Sequence, residues 1–518
     1  MARSLALYRP PTGPLNIADH FLANRLREGM GGRQAIRCGE RVFTYREVDA
    51  FACRFAHALV RRGVEPEERV MLALDDGPAF VAAFFGVLKV GAVVVMTNPG
   101  LKQDAVADLY DYTRARLVVA DAQSAATYRA AMEGQRFPDG IMVVGEDFDP
   151  ETSELPDRFD TFPTHADDPA IWLFSGGTTG RPKAVVQPHR SFANTAELYG
   201  RGVLGIGPDD VTLSVPKLFF GYATGANLLF PFLVGGSCVL FPERSTAERL
   251  LELIAEHRPT ILINVPTMVS KMVAAASDGD DLSCLRLSTS AGEALPVELY
   301  QRWRERFGVE LLDGLGTAEM WHVFVSNRPG AVKPGTLGQV VEGFELRVCD
   351  DEGQELPAGE TGWLWVKGGS RAIAYWQLQD ASEHAFRGSW YVSGDMIRRD
   401  VEGYVTYCGR GDDMLKVAGK WLAPAEVEGL LLEHPSVAQC AVVGVVDDAG
   451  LTKPHAFVVL KTAEDEAPAE ADLAAFVRER LDHYKVPRAF HLRGELPQTH
   501  LGKVDRGALR RAAGSKAG

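Results

Sequence analysis

Several things are scarce in this sequence, and each shortage removes a class of proteins. Cysteine is sparse: seven residues (Cys38, Cys53, Cys238, Cys284, Cys349, Cys408 and Cys440), with no C-x-x-C pair among them. That excludes a disulfide framework or a cysteine zinc site and fits a reducing compartment. Positive charge is in deficit, with 55 Lys and Arg against 69 Asp and Glu, a net charge of −14. Such a balance argues against a nucleic-acid-coating role and for a freely diffusing protein. No run of 18 uninterrupted apolar residues occurs, so no membrane span is expected. The opening M-A-R-S-L-A-L-Y-R-P-P holds no long apolar stretch, so no secretory leader is expected. A cytoplasmic location follows as the expectation. No internal repeat or low-complexity segment is evident.

What remains is a chain of 518 residues, 46% apolar and 24% charged. That length carries two or more domains, each with its own core. The chain is organised around Ile171–Lys183, read I-W-L-F-S-G-G-T-T-G-R-P-K. An apolar tetrapeptide of strand character runs into Ser175, Gly176, Gly177, Thr178, Thr179 and Gly180. Their backbone donors and two threonine hydroxyls suit a polyphosphate, and Arg181 and Lys183 add positive charge. No Gly-Lys-Ser/Thr closes the loop, so it is not a Walker loop. Pro182 removes a donor, which argues against a helix starting directly after it.

Around this loop the pattern alternates. Thr44 and Glu47 form a capping box for a helix carrying Val48, Phe51, Phe55 and Leu59, ended by Gly63. Arg69–Leu74, Ala92–Thr97, Leu117–Asp121 and Ile141–Gly145 read as strands, and Ala79–Val90 and Gln103–Thr113 as helices. The rhythm resumes with helices at Ser191–Leu198, Ala247–His257 and Pro296–Phe307. Strands are expected at Val211–Val215, Ile261–Asn264, Leu285–Ser290 and Val309–Asp313. This is the signature of an α/β protein with doubly wound sheets. From about Gly335 short strands (Glu345–Cys349, Gly362–Lys367, Tyr404–Cys408) predict a β-rich subdomain. A smaller α+β domain follows, with helices at Pro424–Leu432 and Ala471–Tyr484 and strands at Val437–Val446 and Ala456–Leu460. The expected boundary lies between Gly411 and Asp412, giving domains 1–411 and 412–518.

Four further segments carry chemical groups. Gly314-Leu315-Gly316-Thr317-Ala318-Glu319 sets a hydroxyl and a carboxylate at a strand's end, where α/β sheets bind ligands. Glu319 there can hold Mg²⁺ through oxygen, or merely complement a helix dipole. Asp395, after Ser393-Gly394, can accept two ribose hydroxyls or be an ordinary turn residue. Gly409–Asp413 with Lys416, Gly419 and Lys420, and the Gly502-Lys503 pair, each read alone as solvated loops.

Their joint order resembles the adenylate-forming superfamily of acyl-CoA synthetases, adenylation domains and beetle luciferases, over almost the whole chain. The segments Lys217–Ala226 (K-L-F-F-G-Y-A-T-G-A), Thr317–His322 (T-A-E-M-W-H) and Gly409–Trp421 look most like the benzoate-CoA ligase branch. The resemblance implies that a carboxylate attacks the α-phosphate of ATP, releasing pyrophosphate, and that CoA then displaces AMP. It implies that Ser175–Lys183 cradles the β- and γ-phosphates and that Gly292, Glu293 and Ala294 flank adenine, with Asp313 and Gly314 also in the nucleotide site. Thr317 would touch the α-phosphate, Glu319 would hold Mg²⁺, and Asp395 with Arg410 would bind the ribose. Lys503 would bridge acid and phosphate; Asp412 would be the hinge and Gly419 would line the pantetheine channel.

For the acid pocket the resemblance gives Phe220, Gly221, Tyr222, Ser290, Ala291, Gly316, His322 and Val323, the last two at the start of a helix after Glu319. Tyr222 offers a wall for a flat ring. Phe220 can gate by shape but not by hydrogen bonding. Gly221 stands where catechol-acid activators place Asn, so a benzoate with at most a small ortho substituent is expected, benzoate or 2-aminobenzoate. His322 is as readily a structural residue as a ligand contact. Substrates are then a small aromatic acid, ATP and CoA, without nucleic acid or membrane, in a monomer or homodimer. Alternatives are an adenylating enzyme that loads a carrier protein's phosphopantetheine, a luciferase-like oxygenase or inactive relative, and a kinase that would release ADP.

Overall fold

The computed structural model describes residues 8–175, 182–411, 414–417, 420–447, 450–461, 470–497 and 504–514. The chain divides into two compact units. One comprises Met1–Leu346 with Val366–Tyr391, the other Arg347–Trp365 with Val392–Gly518.

The first unit holds two large sheets. In the seven-stranded sheet the order is Ala374–Tyr375, Lys183–Pro188, Pro169–Ser175, Val93–Met96, Arg69–Ala73, Leu117–Ala120, Ile141–Val143. Pairing is parallel from Pro169–Ser175 onward, and antiparallel at the two strands on the other side. The nine-stranded sheet is parallel from Leu311–Thr317 through Leu287–Ser290, Ile261–Asn264, Val211–Ser214 and Ser237–Val239 to Gln34–Cys38. Antiparallel strands close it at both ends. The doubly wound α/β reading is correct.

The helices form for reasons visible in their sequences. Tyr45–Arg61 begins on the full capping box, Thr44 Oγ1 accepting the Glu47 N–H and the Glu47 carboxylate accepting the Thr44 N–H. Pro78–Val90 is buried from Phe80 to Val90, including Lys89, whose ammonium lies 2.9 Å from Asp49. A buried charge persists only with such a partner. The two helices cross tightly at Gly86, where a Cβ would lie 2.6 Å from Phe55 Cβ. Helices Ala247–His257, Pro266–Ala275 and Val297–Phe307 cover the nine-stranded sheet around Leu250, Ile254, Met272 and Trp303.

In the second unit, the strand ending at Arg399 pairs antiparallel with Val405–Arg410. A short hairpin, Leu415–Val417 with Lys420–Leu422, precedes the sheet Val437–Val446, Thr452–Leu460, Ala489–Leu492. Helices Pro424–Leu432 and Glu470–Arg478 share a core with that sheet, including Val427, Val442, Val458 and Leu473. The helix expected over Ala471–Tyr484 ends at Arg478, and His483–Lys485 forms a separate 3-10 turn. Helix Arg506–Gly514 is pinned at its first residue: Arg506 donates to both Glu428 carboxylate oxygens and to Val442 O.

All seven cysteines are free thiols, and among the described residues no helix is long and apolar enough to cross a membrane.

Candidate active site

One hairpin of the first unit dominates the site. Strand Leu311–Thr317 runs straight through Gly314 and Gly316 and pairs antiparallel with His322–Ser326, Thr317 facing His322 and Gly316 facing Val323. Two sequence expectations are corrected here. The strand does not stop at Asp313, and no helix follows Glu319; a tight turn leads into a second strand. Apolar Val323, Phe324 and Val325, all buried, favour the strand. Gly316 permits the pairing, because a Cβ there would lie 2.4 Å from His322 O. Gly314 is equally tight, 2.8 Å from Val325 O.

The turn is strained. Trp321 has φ 37° and His322 φ 86°, the left-handed region that favours glycine. Such residues cost on the order of 1–3 kcal/mol each and cluster at functional sites. Here packing holds them: Trp321 is fully buried, and Thr195 Oγ1 donates to its carbonyl. Gln187 donates to Ala318 O at 2.6 Å, and the Ala372 N–H donates to Glu319 O at 2.7 Å.

At the tip of this hairpin lie Thr317 and Glu319, the residues expected beside the phosphates. Thr317 Oγ1 accepts the Met320 N–H. Glu319 is buried, 6% exposed, and its Oε1 accepts from the Tyr375 hydroxyl at 2.8 Å. The ring of Tyr375 lies 5.1 Å beneath the Lys183 ammonium. Lys183 pairs with Ser175 across the antiparallel hairpin that spans the glycine-rich loop, so the loop joins two strands, as Pro182 suggests. Gly176, Gly177, Thr178, Thr179 and Gly180 lie outside the described residues, as do Asp412, Gly419 and Lys503.

The aromatic cluster begins at the same pair, at His322 opposite Thr317. The His322 ring sits among Tyr199, Tyr222, Phe230 and Trp321, with centroids 4.7–5.6 Å away. Burial pushes its pKa down to about 3, so the imidazole is neutral. Nε2 lies 3.0 Å from Tyr222 O, and a carbonyl only accepts, so Nε2 carries the proton. Nδ1 is then an acceptor, buried without a partner among the described residues. Trp321 Nε1 and Asp313 Oδ1 are likewise buried and unpartnered. Burial raises the Asp313 carboxyl to about 7. The Tyr222 hydroxyl lies 2.6 Å from Thr289 Oγ1. Phe220 is 54% exposed, its ring 4.4 Å from Phe219. A Cβ on Gly221 would press on Leu173 Cδ1 at 3.0 Å, so an asparagine there would have to displace Leu173.

Ala291 is buried beyond Ser290, the last residue of strand Leu287–Ser290. Gly292 has φ 86°, and Ala294 is exposed. Glu293 turns to helix Pro266–Ala275, accepting from the N–H and hydroxyl of Thr267. In the second unit, Asp395 is 6% exposed and accepts from Arg410 at 3.2 Å, Tyr407 at 3.3 Å and Ser393 at 2.5 Å. Arg410 stands opposite Asp395 in the strand pair.

Residues 23–376 match the model of the AMP-binding enzyme family, and 426–503 that of the AMP-binding enzyme C-terminal domain. The protein belongs to the AMP-binding enzyme family. It is 38% identical to a benzoate–CoA ligase of Thauera aromatica, with 96% of each chain covered. It is 37% identical to a 4-hydroxybenzoate–CoA/benzoate–CoA ligase of Rhodopseudomonas palustris, covering 96% of this chain and 94% of the other. Among solved structures, an anthranilate CoA ligase in complex with anthranoyl-AMP superposes with a TM-score of 0.86 at 37% identity, covering 97% of this chain and 98% of that one.

Within this AMP-binding enzyme, sequence reasoning missed Tyr375, Gly225 and Leu173. A Cβ on Gly225 would lie 2.4 Å from His322 Cδ2, and the 97-residue gap between Gly225 and His322 in the chain hides that contact from any local pattern. Tyr375 follows an ordinary Ile-Ala dipeptide, and its pairing with Val185 and the Ala372 N–H bond to Glu319 O bring it beside Glu319.

Proposed function

We propose that this protein is an AMP-forming aryl-CoA ligase acting on benzoate or 2-aminobenzoate. The observation that carries the reading is the hairpin Leu311–Ser326. His322, among aromatic rings, is paired across it with Thr317, and two residues beyond Thr317 stands Glu319, whose partner Tyr375 lies beneath Lys183. A ring-shaped acid and a nucleotide phosphate are thereby addressed by one continuous element, which fixes their spacing.

In this reading the aryl carboxylate attacks the α-phosphorus of ATP and pyrophosphate leaves. The CoA thiolate then attacks the acyl carbon and AMP leaves. Tyr222 and His322 wall the ring, and Leu173 beside Gly221 limits the ortho position to a small group. Trp321 Nε1 and His322 Nδ1 offer polar contacts to a ring substituent. Thr317 and Lys183 meet phosphate oxygens, and Asp395, oriented by Arg410, takes the ribose hydroxyls. Lys503, on a C-terminal domain that turns about Asp412, offsets the repulsion of two anions in the first step, and Gly419 gives pantetheine a path in the second.

The donor set suits Mg²⁺. Glu319 Oε2 accepts no hydrogen bond from a described residue, and no cluster of three His, Cys, Asp or Glu occurs among the described residues. A cation held by one carboxylate with phosphate oxygens and water needs no such cluster. When bound it supplies neutralisation of the phosphate charge. A cytoplasmic setting with ATP and CoA at hand fits the seven free thiols.

The test is acyl-CoA formation across a panel of acids, with the nucleotide product identified. Benzoate and 2-aminobenzoate should give the highest kcat/KM, with AMP released. Faster turnover of hexanoate or coumarate would overturn the acid assignment, ADP would indicate a kinase, and acyl transfer only to a holo-carrier protein would replace CoA as acceptor.

A further inference from the structure

We propose that Tyr375 is the positioning residue for the Glu319 carboxylate, presenting its free oxygen to the divalent cation that accompanies ATP. This rests on the reading of Glu319 given above. The Tyr375 hydroxyl donates to Glu319 Oε1 at 2.8 Å, and both side chains are 6% exposed. Oε2 accepts from no described residue. The backbone is clamped too: Glu319 O accepts the Ala372 N–H, three residues before Tyr375. Tyr375 itself is fixed by pairing with Val185, two residues beyond Lys183, by its N–H donating to Ser382 Oγ at 3.0 Å, and by the Phe386 ring 5.2 Å away.

The choice of a phenol has a physical reason. A lysine or arginine in its place would orient the carboxylate but cancel its charge, competing with the cation. A neutral donor fixes one oxygen and leaves the full negative charge available. The same ring takes the Lys183 ammonium on its face, 5.1 Å from the centroid, a cation–π contact. Among the described residues no ion pair joins Lys183 to Glu319. One side chain therefore holds the phosphate-binding cation and the cation-binding anion in place without letting them neutralise each other.

The experiment compares the full-length protein with Tyr375→Phe and Glu319→Gln. The rise in unfolding midpoint caused by ATP is followed as Mg²⁺ is titrated, and Mn²⁺ bound in the presence of ATP is measured by EPR. Loss of an outer-shell partner typically weakens metal affinity by about 10- to 100-fold. Tyr375→Phe should therefore need about tenfold more metal in both measurements, with the ligand-free midpoint and the KM for the acid little changed. Glu319→Gln should lose most of the metal dependence. If Tyr375→Phe titrates as the unmodified protein does, or merely lowers the ligand-free midpoint, the positioning role is overturned. If Glu319→Gln keeps the unmodified metal dependence, the assignment of Glu319 itself falls.

Discussion

Replacing Gly225 by alanine is a severe test of the proposed acid pocket, because it adds one methyl group at a place that cannot yield. The new Cβ would stand 2.4 Å from His322 Cδ2, 2.7 Å from its Nε2 and 3.3 Å from Phe230 Cζ. Carbon atoms rest about 3.5–4.0 Å apart, so more than an ångström of overlap must be relieved. The imidazole is enclosed by four aromatic rings and held through Nε2 to Tyr222 O, and its backbone already sits at φ 86°. Overpacking of this kind costs about 1–3 kcal/mol. Expelling the ring also breaks the Nε2 hydrogen bond to Tyr222 O, about 0.5–1.5 kcal/mol more. If acid binding must restore even about 2 kcal/mol of this, the KM for benzoate rises roughly 30-fold. The proposed nucleotide site uses other residues, so the KM for ATP should move little. The assay is steady-state acyl-CoA formation with each substrate varied, alongside denaturant unfolding. A Gly225→Ala protein with unaltered benzoate KM and unaltered stability would refute the placement of His322 in the pocket wall.

Three further outcomes are expected. Asp395→Ala removes an acceptor of hydrogen bonds to a charged group, worth about 1.5–3 kcal/mol, so the KM for ATP should rise at least about tenfold while that for the acid holds; equal ATP affinity would exclude Asp395 from the nucleotide site. Lys503→Ala should slow ATP–pyrophosphate exchange by about 10²–10³-fold or more while sparing acyl transfer from supplied acyl-AMP, and adenylation at the unmodified rate would sink its assignment. His189, 1% exposed, has its pKa pushed down to about 3 by burial, as His322 does, against an unfolded value of 6.5. Below pH 6.5 the unfolded chain takes up protons the native state refuses, so stability is lost as pH falls from 6.5 toward 3, at up to about 1.4 kcal/mol per pH unit for each histidine. Asp76 and Asp313, raised from 3.8 to about 7 by burial, act in the opposite sense, losing stability as pH rises from 3.8 toward 7. His189→Gln, which keeps an acceptor for the Ile17 N–H, should flatten the acid limb of urea midpoints measured between pH 7.5 and 5, and an unchanged slope would exclude His189 as a source.

Much of the architecture was legible because it is local. Helices Gln103–Thr113 and Ala247–His257 and strand Ile261–Asn264 fall where caps, periodicity and apolar runs place them. The capping box at Thr44 forms as written, and its bonds span three residues. Failures arose where distant chain decides. Helix Ala122–Ala130 is a local exception: it has little periodicity, and Asp121, which reads as the end of a strand, caps its Ser124 N–H. The helix after Glu319 is an expectation from the resemblance, but pairing of His322 with Thr317 imposes a reversal at positive φ that no local preference would choose.

By itself the sequence determined the family, the alternation of strand and helix and the chemical groups on offer. Those rest on residue type and spacing, which the chain carries along its length. The tertiary structure alone decided which groups meet. It set Tyr375 against Glu319 across 56 residues, His322 against Gly225 across 97, and Leu173 in the space beside Gly221. Such contacts depend on strand register and packing, which exist only when the sheets have closed.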